Sequence, residues 1–372
     1  MDDINIRKRI KMRIIPNLTA AKSSNINFVG KRDVLAPIDW DGTFEDPKHP
    51  ETRAVLEKGL ADLRSEYADK GINFMPCIIT ARPKVRLMQK NPTSAVQWAI
   101  TQNGGEITKG LPTPGAKEIP SWIALNESTG FDKKGVNDIV FSTAGEDEFS
   151  NLEVVTIAEV VHNPAASECE FMQPFCIKLD SIKLEDNESP EILTDKAYQT
   201  PKQIKGFIDK IEDKLKEQNI EFEVNQPYLF KGEPYLMFDV ASPYANKGKA
   251  LDFLMNELDV APENVIVAGD GGNDIAMMKA AEGDKDGDGR NLIIVGPNKS
   301  LRQNASLLFN NKVVIRPADE PSSLGVLAGL KMNLQQIAER LNNSPSFTGL
   351  FKSAVNKADK LNKSDDAFVK TA

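Results

Sequence analysis

The stretch VLAPIDWDGT, Val34–Thr43, decides how the chain folds. A short apolar run ends in a carboxylate, Asp39, then one residue, a second carboxylate, Asp41, and Gly42-Thr43. This is the pattern of a buried strand that delivers two acids to its C-terminal edge. Side chains two apart on an extended chain point the same way, so Asp39 and Asp41 are expected to face one small volume. Two carboxylates there repel unless a cation or a proton sits between them, which points to metal-assisted chemistry. Gly42 lets the backbone turn sharply after them. The plainer alternative is an acidic strand end running into a turn.

Outward from this strand, Val55, Leu56, Leu60 and Leu63 recur at helical spacing between Pro50 and Lys70, which predicts an amphipathic helix. Gly71 ends it, and INFMPCIIT, finishing at Thr80, reads as a second buried strand. Strand, helix and strand in this order make a βαβ unit, so the sheet is expected to be parallel. Ligands bind such sheets at the carboxyl ends of the strands, where Asp39, Asp41 and Thr80 all fall. Thr80 either donates its hydroxyl to a bound anion or caps the next helix. VQWAITQNGGEI adds a short strand and a turn at Asn103, Gly104 and Gly105.

From 111 to 236 the character changes to long polar stretches, a helix pattern from Lys202 to Gln218, and strands EFEVNQ and PYLMFDVA that alternate more. A second α+β domain inserted into the first is the expectation. The parallel pattern then resumes with NKGKAL, where Lys247 opens a helix either toward a phosphate or toward solvent. In NVIVAGDGGNDIAMMKAA an apolar strand runs into Asp270, glycines, Asn273 and Asp274, and a helix follows at once. That helix N-terminus favours anions, and the acids are oxygen ligands of the kind Mg²⁺ prefers.

At 372 residues the chain has room for two domains with sizeable cores. A net charge of -8 argues against nucleic acid as a partner and suits a cytoplasmic enzyme. Cys77, Cys169 and Cys176 form no C-x-x-C pair, and His49 and His162 are the only histidines. A disulfide framework, a thiolate or histidine-rich zinc site and a Ser/His/Asp triad are therefore not indicated. No apolar run reaches the roughly 18 to 20 residues that span a bilayer. The basic segment 1–32 is either a frayed leader or a contact for a partner or membrane surface.

The motifs DWDGT at Asp39, IITAR at Thr80, NKGKAL at Lys247 and GDGGND at Asp270, in this order, resemble the haloacid dehalogenase superfamily. Within it they are similar to the Cof-type and sucrose-phosphatase-like phosphatases. The QNGG turn, IIVGPNKSLRQNA and LGVLAGL support the likeness. The resemblance implies a Rossmann-like, doubly wound parallel sheet over 33–110 and 237–332, with the insertion 111–236 as a cap. It implies that Asp39 attacks phosphorus to give an aspartyl-phosphate and that Asp41 serves as acid and base. Mg²⁺ would be held by Asp39, the Asp41 carbonyl, Asp270 and Asp274. Gly42, Thr80, Lys247 and Asn273 would bind the phosphoryl group of a small phosphoester substrate, a phosphosugar first, with His162 a candidate contact in the cap. A phosphomutase of phosphomannomutase type and a binding module acting through the chain termini are the alternatives. Trp40 and Phe44 depart from the family pattern, and Trp40 between the acids is expected to narrow or reorient the pocket mouth. Asp284, Asp286 and Asp288 either form a polar turn or begin a Ca²⁺ loop that lacks its final Glu. Residues 333–372 read as a helical or partly disordered extension.

Overall fold

Strand β1, Asp33–Asp39, is buried from Val34 onward, as befits a strand covered on both faces. In the computed structural model the described residues are 32–92, 95–113, 116–188, 200–225, 227–230, 233–282, 291–309 and 313–343. Asp33–Arg340 form one unit. After β1 come α1 (Thr52–Asp69), β2 (Asn73–Ile79), α2 (Lys84–Gln89), β3 (Trp98–Thr101), β4 (Glu106–Lys109) and α3 (Pro120–Glu127). Next follow α4 (Lys133–Ala144), β5 (Val154–Thr156), α5 (Ile157–Val160), β6 (Met172–Lys178), α6 (Lys202–Glu217), β7 (Glu223–Val224), β8 (Tyr228–Leu229) and β9 (Tyr235–Ala241). The chain then runs through α7 (Lys247–Leu258), β10 (Ile266–Gly269), α8 (Ile275–Glu282), β11 (Asn291–Ile294), α9 (Lys299–Leu308), β12 (Val313–Ile315) and α10 (Ser322–Asn343).

The first sheet has seven strands in the order β12-β11-β10-β1-β2-β3-β4. All its pairings are parallel except β3 with β4. The order departs from β1 in both directions, and this reversal leaves a crevice beyond the carboxyl ends of β1 and β10. Asp39 pairs with Ile79 and Ile38 with Ala268, so Asp39, Thr80 and Asp270 end up at one level of the sheet edge. On one face, Leu35, Ile79, Ile100, Leu254, Val267 and Met278 join a continuous core. Each such side chain contributes about 1.5–3 kcal/mol when fully buried. Cys77 lies in the same core, and burial pushes its thiol up and out of reach of nucleophilic chemistry.

Helix α1 buries Leu56, Leu60 and Leu63 as its spacing predicts, but Val55 stands half exposed. The buried stripe is completed instead by Thr52, Gly59 and Tyr67, and residue 55 lies just off it.

The second sheet, antiparallel, has the order β5-β6-β9-β7, with β8 also on β9. Helices α4 and α6 cover one face through Val136, Ile139, Val140, Phe207 and Ile211, packed on Phe175 and Phe238. Strand β9 crosses residue 237, where the sequence pattern predicts a return to the first domain. All of β9 pairs within the second sheet, so the return comes after Ala241. Helix α3, within 111–236, packs Trp122 into the first core. Helix α10 likewise runs past 332 and buries Leu334, Ile337 and Ala338, so the structure continues well into the stretch read as an extension. The basic segment 1–31, the Asp284–Gly289 turn and the tail 344–372 lie outside the described residues.

Candidate active site

The edge of the first sheet collects the acids. Asp39 is the last residue of β1 and is 5% exposed. The turn behind it is closed by backbone bonds from the Phe44 amide to the Asp39 carbonyl (3.0 Å) and from Glu45 to Trp40 (2.9 Å). Gly42 takes φ +78 there, a conformation that costs an L-residue dearly. Its missing side chain also matters: a Cβ at Gly42 would sit 2.4 Å from Oδ2 of Asp270. Glycine is what lets the β1 turn and the β10 loop meet.

Lys247 opens α7, capped by Asn246, whose side chain accepts from the Gly248 and Lys249 amides. The lysine is 1% exposed, and its Nζ donates to Asp39 Oδ1 at 2.6 Å and to Asp274 Oδ1 at 2.8 Å. Burial alone would lower its pKa, but Asp274 and Asp39 outweigh that and raise it, so the ammonium stays charged. For Asp39 the direction is also upward, chiefly through burial, then through the Asp274 carboxylate, with Lys247 pulling the other way. Asp274 uses its second oxygen to accept the Asp270 and Gly271 amides, both at 3.0 Å, which shapes the loop that carries Asp270.

Carboxylate oxygens of Asp39, Asp270 and Asp274 lie within 4.8 Å of one another, the one grouping among the described residues suited to a metal ion. The donor set is oxygen only, as a hard divalent cation requires. Asp41 does not join it with its carboxylate. Residue 41 lies past the strand end, within the turn, where the two-residue alternation no longer holds. Its side chain, 52% exposed, is forked by Arg82 instead, Nε to Oδ2 at 2.8 Å and the second guanidinium nitrogen to Oδ1 at 2.6 Å. The two acids expected to share one cation thus have one each.

Thr80 is buried just past β2, and its Oγ1 accepts the Arg82 amide at 3.1 Å. It does not cap the next helix, α2, whose N-cap is Pro83, and the hydroxyl keeps its proton to donate. Asn273 lies on the exposed side of the Gly272–Asp274 turn. Trp40 does not reach the pocket mouth. It is fully buried, stacked on Phe44 at 4.9 Å with 12° between the rings, and its Nε1 donates to Glu45 (3.1 Å) under the Arg53 guanidinium. The two departures from the family pattern are therefore one packed unit, buried under Glu45 and Arg53. His162, with φ +47, is exposed on a cap loop.

Two residues of the site were not singled out by the sequence. Arg82 lies in IITAR and Thr43 ends DWDGT, and neither stands out by spacing or periodicity. Thr43 is fully buried and donates to Asp270 Oδ1 at 2.9 Å. A hydroxyl two residues past an acid, in a chain that also needs a second loop fixed, was the available signal for it.

Residues 37–283 match the family model of haloacid dehalogenase-like hydrolases. The chain belongs to this family. Among solved structures, the hydrolase is similar to the sucrose-phosphatase of Synechocystis, captured with sucrose and phosphate, at 18% identity and a TM-score of 0.51 over 80% of this chain and 97% of that one. It is also similar to the haloacid dehalogenase-like yhjK protein of Bacillus subtilis, at 17% identity and a TM-score of 0.47 over 86% and 99% of the two chains. At 18% identity the likeness to the sucrose-phosphatase bears on the fold alone, a mostly parallel sheet with an additional antiparallel sheet. No curated protein matches the hydrolase. Among its described residues no helix is long and apolar enough to cross a membrane.

Proposed function

We propose that this hydrolase is a Mg²⁺-dependent phosphatase that cleaves a phosphomonoester, a sugar phosphate first, through an aspartyl-phosphate on Asp39. The observation that carries the reading is the buried Asp39 carboxylate, 2.6 Å from the Lys247 ammonium and grouped with Asp270 and Asp274. The choice of sugar comes from the sucrose-phosphatase that shares the fold.

In this reading an Asp39 oxygen bonds to phosphorus while the bond from phosphorus to the alcohol oxygen breaks. Asp41 gives its proton to that alcohol, then takes one from the water that displaces Asp39 and releases phosphate. To carry that proton, Asp41 gives up one of the two oxygens that Arg82 now fills. Lys247 and the Thr80 hydroxyl face the negative charge of the phosphoryl group, Gly42 leaves room for it, and Asn273 orients it from the loop edge. The carboxylates of Asp39, Asp270 and Asp274 with the Asp41 carbonyl would hold Mg²⁺, which when bound neutralises phosphoryl charge that these acids would otherwise repel. The cap sheet supplies the wall against the leaving group.

The test is phosphate release from a panel of hexose phosphates with Mg²⁺, for the native chain and for Asp39→Asn. The variant should lose about 10³-fold or more in rate. Comparable turnover by Asp39→Asn would refute the mechanism, and conversion of a hexose 1-phosphate to the 6-phosphate would mark a mutase instead.

A further inference from the structure

Gln102 does something the catalytic chemistry does not call for. It follows β3 in a left-handed conformation, φ +53, and Asn103 repeats it at φ +54. Such backbone is uncommon for any residue but glycine and asparagine, and it persists where the surroundings hold it in place. Here the holding is mutual. The Gln102 amide donates to the Arg82 carbonyl at 2.9 Å and the Asn103 amide to the Thr80 carbonyl at 3.0 Å, so this turn fixes the loop that carries both site residues. Gly104, at φ +111, lies so close to Asn246 that a Cβ would come within 2.5 Å of its carbonyl oxygen. Asn246 is the cap of the helix that begins with Lys247.

The side chain of Gln102 points the other way, into the cap. It is 2% exposed, and its Oε1 accepts the Glu170 amide at 2.6 Å and the Phe171 amide at 3.4 Å. These residues lead into β6, whose first residue, Met172, pairs with Ala241 at the end of β9. The Phe171 carbonyl accepts the Ser242 amide at 2.8 Å. One amide oxygen therefore grips the start of β6, beside the point where the chain leaves β9 of the cap sheet for the core. The turn behind it holds Thr80 and Arg82.

We propose that Gln102 is a positioning residue for leaving-group selection. Its side chain seats the cap sheet on the turn that fixes Thr80 and Arg82, so that a leaving group large enough to reach the cap meets it in fixed register with Asp39. The kinetic side of this inference rests on the phosphatase reading; the joint itself does not.

Gln102→Asn separates the joint from the fold. Asparagine suits the left-handed backbone better than glutamine does, so the turn is kept, while the amide is one methylene too short to reach Glu170. Hydrogen exchange over residues 169–171 of the full chain, without substrate, should speed up in Gln102→Asn and return toward native rates in Gln102→Glu, which restores the acceptor at full reach. With Mg²⁺, kcat/KM for a hexose 6-phosphate should fall about tenfold, the worth of one or two net hydrogen bonds. The rate on acetyl phosphate, whose leaving group is only acetate, should change less than about twofold, since the backbone bonds to Thr80 and Arg82 remain. Native exchange at Glu170 in Gln102→Asn would overturn the joint. Equal losses on both substrates would overturn the selective role. A native chain that hydrolyses neither compound would refute the phosphatase reading, and the exchange arm would still decide the joint.

Discussion

Lys247→Met removes the cation that pairs Asp39 and Asp274 inside the acidic cluster without opening a hole, because the two side chains are close in length and volume. What remains is Asp39, Asp270 and Asp274, with carboxylate oxygens within 4.8 Å of one another. At an effective dielectric of about 20, two charges at that separation repel by about 3 kcal/mol. Stripping one partner from a buried ion pair costs about 3–5 kcal/mol by mutational experience, so the two routes agree. At about 2–4 °C per kcal/mol for a large domain, the metal-free variant should melt about 6–20 °C below the native chain. A divalent cation supplies the missing positive charge, so Mg²⁺ should raise the melting temperature more in the variant than in the native chain. Thermal melts of both proteins in EDTA and in excess Mg²⁺ measure this directly. A variant that melts within 2 °C of native in EDTA, or that gains no more from Mg²⁺ than native does, would show that Lys247 is not the compensating charge; the 2 °C margin is about 1 kcal/mol or less on this scale.

Two further outcomes follow from the geometry. Thr43→Val keeps the shape of the side chain but deletes the hydroxyl that holds Asp270 Oδ1, and should weaken Mg²⁺ binding about tenfold by calorimetry, as losing an orienting partner does; unchanged affinity would show that Asp270 needs no such support. In the cap, Asp239 is 6% exposed, its Oδ1 has no hydrogen-bond partner among the described residues, and burial pushes it from 3.8 up to about 6, with the Asn225 amide pulling it back. A raised native pKa means stability that is full below pH 3.8 and is lost as pH rises through about 6, here about 3 kcal/mol. Asp239→Asn should therefore be more stable than native at pH 7.5 and should flatten the fall between pH 4 and 6 in denaturant titrations, and a variant that is less stable at pH 7.5 would refute the reading.

The doubly wound sheet was legible because each of its strands is a short apolar run that ends on chemistry. Val34–Asp39, Phe74–Thr80 and Val265–Asp270 could be read without knowing their neighbours. The acids at those ends could be read with them, since a buried strand gives its last residue little choice of direction. What lay beyond the strand ends could not. Asp41 sits in a turn, where the strand's alternation no longer sets direction, and its partner Arg82 is 41 residues away on another loop. Arg82, Thr43 and Gln102 act through bonds between loops, and a periodicity carries no trace of such bonds. Strand β9 misled in its own way. Its alternation of Leu236, Phe238 and Val240 toward the cap helices is clear, but the change of domain follows it without a break in composition.

Trp40 and Phe44 have one more consequence. Each ring gives the other its flat face, and Glu45 and Arg53 are arranged around the pair. Neither ring can shrink alone without leaving its partner facing a void, inside the very turn that sets Asp39, Asp41 and Gly42. A change at either position alone is therefore disfavoured, and the two rings change together or at a cost in packing. The oddity beside the nucleophile is thus self-preserving: packing locks it in, although no step of the chemistry asks for it.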